Sequence, residues 1–257
     1  MTRMRRRRSR SSGSAGLRAI EFASWQVGGV ASWRGSGSGC EGYYHGGQAL
    51  DSSGVLDCGL AMESIDELLV KAEAAHGHLC AGQILGVRMA LLGLERLGIA
   101  DPRGADRKRL VTYVEIDRCA TDAIGMVTGC RLGKRSLKFR DWGKMAATFV
   151  DLADGRGVRI VALENSRELA RERYPHVEAK SRQQMMAYRE LGDAELFRVD
   201  TVRVRVDAAE LPGTKGERVT CGRCGEGVNF GRFVEGGGVK LCLSCAEPGL
   251  RYWEPAE

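Results

Sequence analysis

Residues 74–98 read AAHGHLCAGQILGVRMALLGLERLG, and this stretch decides the interpretation of the chain. Its apolar residues between positions 84 and 97 cover most of the circumference of a helix, which predicts a buried central helix from about Cys80 to Leu97 that ends at Gly98. Each glycine lowers helix propensity by about 1 kcal/mol. We therefore expect the three helical glycines to allow the close approach of another backbone: Gly82, Gly86 and Gly93.

Three possible metal ligands stand immediately before this helix. His76, His78 and Cys80 alternate along the chain, so in an extended segment they would face the same side. Cys80 also falls at the start of the helix, where the positive end of the macrodipole stabilises a thiolate. The pattern favours a metal or reactive-thiol site, with a packed polar cluster as the alternative.

A second cysteine stands in the same setting. Cys119 follows a predicted strand at 110–116 and opens a predicted short helix that ends near Gly129. We therefore expect Cys119 to supply the second half of the site. A glycine-punctuated basic loop follows, TGCRLGKRSL at 128–137, which is either an anion cradle or a plain turn.

The remaining pattern predicts an α+β fold, with helices packed on a mainly antiparallel sheet. Helices are expected at 63–76, 164–173 and 179–191. Strands are expected at 137–141, 144–154, 157–163 and 195–207. The segment 144–154 is equally compatible with a helix.

The C-terminal part carries the strongest local motif, C-x2-C-x17-C-x2-C, formed by Cys221, Cys224, Cys242 and Cys245. Two such knuckles complete a tetrahedral four-sulfur shell, which is typical of structural zinc and leaves no open position for a substrate. Iron in the same geometry is the main alternative. Zinc contributes about 10–16 kcal/mol to folding in such peptides. We predict a zinc finger at 219–257, joined by a linker at 208–218, that contacts protein or supports a dimer rather than binding nucleic acid.

The net charge of +6 is concentrated in the first 50 residues, which carry eight arginines and two glutamates. The other 207 residues carry 31 basic and 31 acidic side chains. Such a balanced body exerts no strong long-range attraction on a polyanion, so nucleic acid is not an expected partner. The segment 1–61 is rich in Arg, Ser and Gly, and we interpret it as a disordered leader or as sequence outside the true reading frame.

Cysteine use and hydropathy indicate the compartment. Nine cysteines, an odd number with four in Cys-x-x-Cys pairs, favour reduced metal-binding thiols in a cytoplasm over a disulfide framework. No run of about 18 apolar residues occurs, so no membrane-spanning helix is expected.

The motifs HGHLCAGQILGVRMALLGLERLG, DRCATDAIGMVTGCRLGKRSLKFRDWGKMAATFV and GRGVRI, in this order, resemble the formylmethanofuran dehydrogenase E-subunit family. The resemblance covers about residues 62–206, and the four-cysteine module resembles a treble-clef zinc finger that some members carry. Ala81 departs from the proline that is usual in the family at this position.

The resemblance implies an α+β core at 62–207 that forms an intertwined homodimer. It implies a second metal, zinc in the first instance, bound by His78, Cys80 and Cys119, with His76 as an alternate ligand or supporting partner. It also suggests an accessory or metal-handling subunit of a molybdenum- or tungsten-dependent formyl or formate oxidoreductase, whose redox centres lie on other subunits. The alternatives are a stand-alone zinc- or thiol-dependent enzyme that uses the core site, and a zinc-finger regulator; whether the chain is an enzyme stays open.

Overall fold

A computed structural model describes residues 63–256, so the predicted leader at 1–61 lies outside the described residues. The helices of this part are α1 Ile65–His76, α2 Ala81–Leu97, α3 Cys119–Thr128, α4 Ser166–Arg173, α5 Lys180–Glu190, α6 Asp193–Leu196 and α7 Leu243–Ala246. The strands are β1 Leu110–Val114, β2 Leu137–Phe139, β3 Ala146–Asp151, β4 Arg156–Ala162, β5 Phe197–Arg203, β6 Val219–Thr220, β7 Gly227–Val228, β8 Phe233–Gly236 and β9 Val239–Cys242.

One five-stranded sheet organises the core, with the strand order β2-β1-β3-β4-β5. The pair β1–β2 is parallel, and the other neighbours are antiparallel. The prediction of an α+β fold with a mainly antiparallel sheet is therefore confirmed. The ambiguous segment 144–154 contains the central strand β3, and all six of its residues are buried. Burial on both faces explains why its sequence lacks the alternation that would have identified it as a strand.

The central helix α2 is buried as its sequence predicts. Eleven of its 17 residues are buried, and it packs against β3, β4, α3 and α5. The helix ends at Gly98, which adopts the left-handed conformation with a φ of 66°. Glycine adopts this conformation at little energetic cost because it lacks a β-carbon, so Gly98 is a favourable end for the helix.

The helical glycines of α2 serve contacts within the chain. A β-carbon at Gly93 would lie 2.3 Å from Cδ2 of Phe149, and one at Gly86 would lie 2.4 Å from the carbonyl oxygen of Ala120. Strand β3 and helix α3 therefore occupy the surface that these glycines open. Close approach is confirmed, but Gly86 and Gly93 face the chain's own elements rather than a second copy of the chain.

The four-cysteine module consists of two small hairpins, β6–β7 and β8–β9, followed by α7. Of its residues 219–256, only Cys221 and Cys245 are buried. The linker before it is fastened to the core, because the Lys138 ammonium donates to the Glu210 carbonyl at 2.5 Å. In residues 63–256, no helix combines the length and apolar character needed to cross a bilayer.

Candidate functional site

The predicted core site lies where the C-terminus of α1 meets the N-termini of α2 and α3. Helix α1 stops at Gly77, whose φ of 94° turns the chain sharply after His76. His78 follows in the short connection, and Cys80 is the N-terminal capping residue of α2. On the other side, Cys119 is the first residue of α3.

The two cysteines flank the same glycine. A β-carbon at position 82 would lie 3.4 Å from Cβ of Cys119 and 3.7 Å from Sγ of Cys80. The first turns of α2 and α3 therefore lie side by side at Gly82, and this brings the two thiols together. Each thiol stands at the N-terminal end of its helix.

The histidines form the neighbouring part of the cluster. The ring centroids of His76 and His78 are 4.9 Å apart. Nδ1 of His76 lies 2.9 Å from Oδ2 of Asp122, one turn after Cys119 on α3. A carboxylate that accepts the Nδ1 proton leaves Nε2 of the imidazole free to bind a metal. The side chain of Asp122 was not among the predicted ligands, although its i,i+3 spacing from Cys119 places both on one face of α3.

Burial sets the electrostatics of the thiol pair. Partial burial raises the pKa of Cys119, and the hydrogen bond and the charge of Cys80 raise it further. A second thiolate beside the first is therefore unfavourable unless a cation joins the pair. His78 is exposed, and Cys80 and Cys119 are half-buried, so the cluster can be reached from solvent.

The structure does not gather all predicted core ligands into one compact group. Within residues 63–256, only the four finger cysteines have ligand atoms that all lie within 4.8 Å of one another. The core metal site therefore stays a prediction. Cys130, whose motif position also belongs to the resemblance, is buried at the other end of α3, where its sulfur is 3.5 Å from the Thr112 hydroxyl.

The finger cysteines converge as their spacing predicts. Cys221 and Cys224 lie in the turn between β6 and β7, Cys242 ends β9, and Cys245 lies in α7. The sulfurs of Cys224 and Cys242 are 3.9 Å apart. The order of knuckle, hairpin and short helix matches the predicted treble-clef finger.

The donor set of the finger fits a divalent metal. Backbone amides of Cys224, Cys242 and Arg223 point at the sulfur of Cys221 and lower its pKa to about 6. The Glu226 amide also favours the Cys224 thiolate, but partial desolvation and the hydrogen bonds with the other three cysteines together raise the pKa of Cys224 to about 12. Four adjacent thiols cannot all ionise alone, whereas a bound dication replaces their protons. The cluster can therefore hold a metal such as zinc.

Comparison with known proteins agrees with this architecture. The family described as "FmdE, Molybdenum formylmethanofuran dehydrogenase operon" matches residues 75–205. The crystal structure of an FmdE-like protein from Syntrophus aciditrophicus, described as like the E-subunit of a tungsten formylmethanofuran dehydrogenase, is similar with a TM-score of 0.53 and 25% identity. The similarity covers 74% of this chain and 95% of that chain.

A curated relative from Archaeoglobus fulgidus, named "Probable S-adenosyl-L-methionine-binding protein", is 33% identical over 202 residues. The match covers 71% of this chain and 53% of the relative, so the chain spans about half the length of that protein. The family match includes His76, His78, Cys80 and Cys119 and covers the core from the end of α1 to the segment after β5. The chain therefore belongs to the FmdE family.

Proposed function

We propose that this chain is a homodimeric, zinc-binding accessory or metal-handling subunit of a molybdenum- or tungsten-dependent formyl or formate oxidoreductase system in the cytoplasm. One observation carries the proposal: two helix N-termini bring Cys80 and Cys119 together beside two histidines, in a chain of the FmdE family. The finger contributes a structural zinc site, and the core cluster contributes a second site with an open position.

The chemistry of the core donors suits zinc. Imidazole nitrogen and thiolate sulfur are its usual protein ligands, and three protein ligands leave a fourth position open. We assign His78, Cys80 and Cys119 as ligands and His76 as the alternate. The carboxylate of Asp122 contacts Nδ1 of His76, the ring nitrogen that would not bind the metal. Such a carboxylate is the usual partner of a metal-bound histidine. The core donors do not all lie within 4.8 Å of one another in the structure, so metal binding requires them to move closer together.

An accessory role is favoured over a catalytic one. The family description refers to the operon of a molybdenum enzyme, and the similar crystal structure is of a protein like one component of a tungsten enzyme. The sequence contains no C-x2-C-x2-C-x3-C motif for iron–sulfur clusters. The redox centres are therefore assigned to other polypeptides, and this chain binds metal and contacts its partners.

The outer face of the sheet is the surface that we assign to the dimer. The helices α2 and α3 pack against each other within the chain, so this surface of α2 cannot contact a second copy of the chain. Trp142 is exposed beside the outer face of the sheet, where it lines an open cleft together with Tyr113, Val202 and Val204. Contiguous exposed apolar surface marks interaction sites, and a second copy of the chain would cover it.

A stand-alone zinc- or thiol-dependent enzyme is the second candidate. The accessibility of the core cluster favours it, because a purely structural site has no need to face solvent. Binding of S-adenosylmethionine, the property named for the archaeal relative, is not part of the proposal because that protein is about twice the length of the match.

The metal content of the purified full chain tests the two sites. We expect about two zinc ions per chain in the parent, and about one each in Cys80→Ser and Cys221→Ser, since each substitution removes a ligand of one independent site. Cys130→Ser is the matched control, because it removes a buried thiol outside both clusters. An unchanged content in Cys80→Ser would contradict the core site.

Two further measurements test the geometry of the core metal site and the accessory role of the chain. Asp122→Asn is expected to weaken zinc binding at the core about 10–100-fold without changing the finger. Affinity purification of the tagged chain from the cells that encode it is expected to recover polypeptides containing molybdenum or tungsten pterin. Recovery of a lone dimer would reject the accessory role, and loss of a measured activity in Cys80→Ser with an intact fold would favour the enzyme.

A further inference from the structure

A cleft of about 730 Å³ lies on the core, away from both cysteine clusters. Three segments form its walls: the loop 102–108 after α2, the segment 129–136 after α3, and the linker 211–214 before the finger. This volume is in the range of pockets that enclose small-molecule ligands. The basic loop at 128–137 supplies one of the walls.

The cleft is strongly cationic. Its lining includes five basic side chains and, among the described residues that line it, no aspartate or glutamate: Arg103, Arg107, Lys108, Arg131 and Lys134. Arg103 is partly neutralised, because its guanidinium is 2.6 Å from Glu63. The other four make no ion pair within residues 63–256. Since the body of the chain carries no net charge, this concentration of cations around one cavity is a local feature.

The walls are held in place rather than loosely apposed. The guanidinium of Arg135 donates to the Thr214 carbonyl at 3.2 Å and lies over the Phe230 ring at 4.2 Å, so the linker and the finger are anchored to the basic segment. Arg131 is fixed through its backbone, whose N–H donates to the Ser136 hydroxyl at 3.1 Å. The cavity is therefore largely formed before a ligand arrives.

Gly129 lines the cleft where the segment after α3 meets the 102–108 loop. It has a φ of 69°, and a β-carbon there would lie 2.9 Å from Cγ of Arg103. Only glycine therefore permits both the end of α3 and the close approach of the 102–108 loop.

The lining also contains apolar surface. Pro102, Leu211 and Pro212 stand beside the cations. Cations alone would suit any anion, whereas cations next to an apolar wall suit an anion that carries a ring or another apolar body. Guanidinium and ammonium groups are the usual partners of phosphate oxygens.

We propose that this cleft binds a small phosphorylated ligand of nucleotide size, with Arg107, Lys108, Arg131 and Lys134 around the phosphates and the proline–leucine wall against the ring. A long nucleic acid fits less well, because the cations surround one cavity instead of following a groove, and the rest of the chain offers no net positive charge.

The site is separate from the proposed metal centre. Gly129 lies at the C-terminus of the ten-residue helix α3, whereas Cys119 lies at its N-terminus. A helix of this length spans about 15 Å. Ligand binding and metal binding can therefore fail independently. Because the linker forms one wall, an occupied cleft also fastens the finger to the core.

Isothermal titration calorimetry of the zinc-loaded full chain tests the proposal, with ATP, pyrophosphate and adenosine as separate probes. We expect ATP to bind, pyrophosphate to bind more weakly because it lacks the ring, and adenosine not to bind because it lacks phosphate. The double variant Arg107→Gln/Lys134→Gln is expected to weaken ATP binding by at least about tenfold. Both side chains are exposed, so the fold should tolerate their replacement.

The double variant Lys180→Gln/Arg182→Gln is the matched control, because it removes the same charge from exposed positions on α5. It should bind ATP as the parent does. A second measurement needs no variant: ATP should protect Lys108 and Lys134 of the parent from acetylation, as measured by mass spectrometry. Three results would overturn the proposal: no binding of ATP or pyrophosphate, equal weakening in the control, or binding of a single-stranded 20-mer oligonucleotide alone.

Discussion

Replacing Gly86 with alanine is expected to destabilise the core, although alanine is the better helix former. Gly86 lies in the N-terminal half of α2, where the backbone of α3 packs against it. A β-carbon at this position would lie 2.4 Å from the carbonyl oxygen and 2.8 Å from the Cα of Ala120. These are backbone atoms of a packed helix, so they cannot rotate away as a flexible side chain would.

The magnitude follows from two opposing contributions. Ordinary contact begins at 3.4 Å, so α2 and α3 must separate by about 1 Å. Overpacking of this kind costs about 1–3 kcal/mol, and a backbone obstacle places Gly86→Ala at the upper end. The gain in helix propensity offsets about 1 kcal/mol. We therefore expect a net loss of about 2 kcal/mol in the free energy of unfolding.

Gly82→Ala in the same helix is the matched control. A β-carbon at Gly82 would meet its neighbours at 3.4–3.7 Å, which is ordinary contact, so this variant is expected to be neutral or stabilised by up to about 1 kcal/mol. Urea unfolding of the zinc-loaded full chain, followed by circular dichroism with comparison of the slopes, measures both. A Gly86→Ala variant as stable as Gly82→Ala would refute the inferred α2–α3 packing.

Three further predictions concern the finger, the loss of stability at acid pH, and an ion pair on the sheet. A strong zinc chelator is expected to expose residues 219–256 to protease while the core resists, because only two cysteines of the finger are buried; equal digestion of both parts would contradict this. The Asp101 amide, and to a lesser degree the Arg109 guanidinium, hold the pKa of Asp106 below its ordinary value. This carboxylate therefore stabilises the fold above its ordinary pKa of 3.8, and the contribution is lost as the pH falls through the lower folded value. The drop in melting temperature between about pH 5 and pH 2 should thus be smaller in Asp106→Asn than in the parent, and unchanged in the control Glu73→Gln. Glu115→Ala is expected to cost about 3 kcal/mol, because Arg159, which is mostly buried, would lose its two hydrogen bonds of 2.7 Å to Glu115; a urea midpoint within error of the parent would contradict this.

Several elements could be predicted because their signals are local. The start of α1 after Ser64 and the end of α2 at Gly98 each depend on residues within one turn. The order of segments also indicated the antiparallel sheet. The central strand β3 was ambiguous, because a strand buried on both faces has no alternation to distinguish it from a helix.

The sequence by itself determined the finger and the central helix. The spacing of Cys221, Cys224, Cys242 and Cys245 already restricts them to one compact knuckle pair, and the apolar circumference of α2 requires burial wherever the chain folds. Only the tertiary structure decided that Cys80 meets Cys119 across Gly82, that Asp122 holds His76, and that three distant segments surround the cationic cleft. The physical reason is range: residues within a few positions are positioned by backbone geometry, whereas contacts across tens of residues depend on which helix faces pack together.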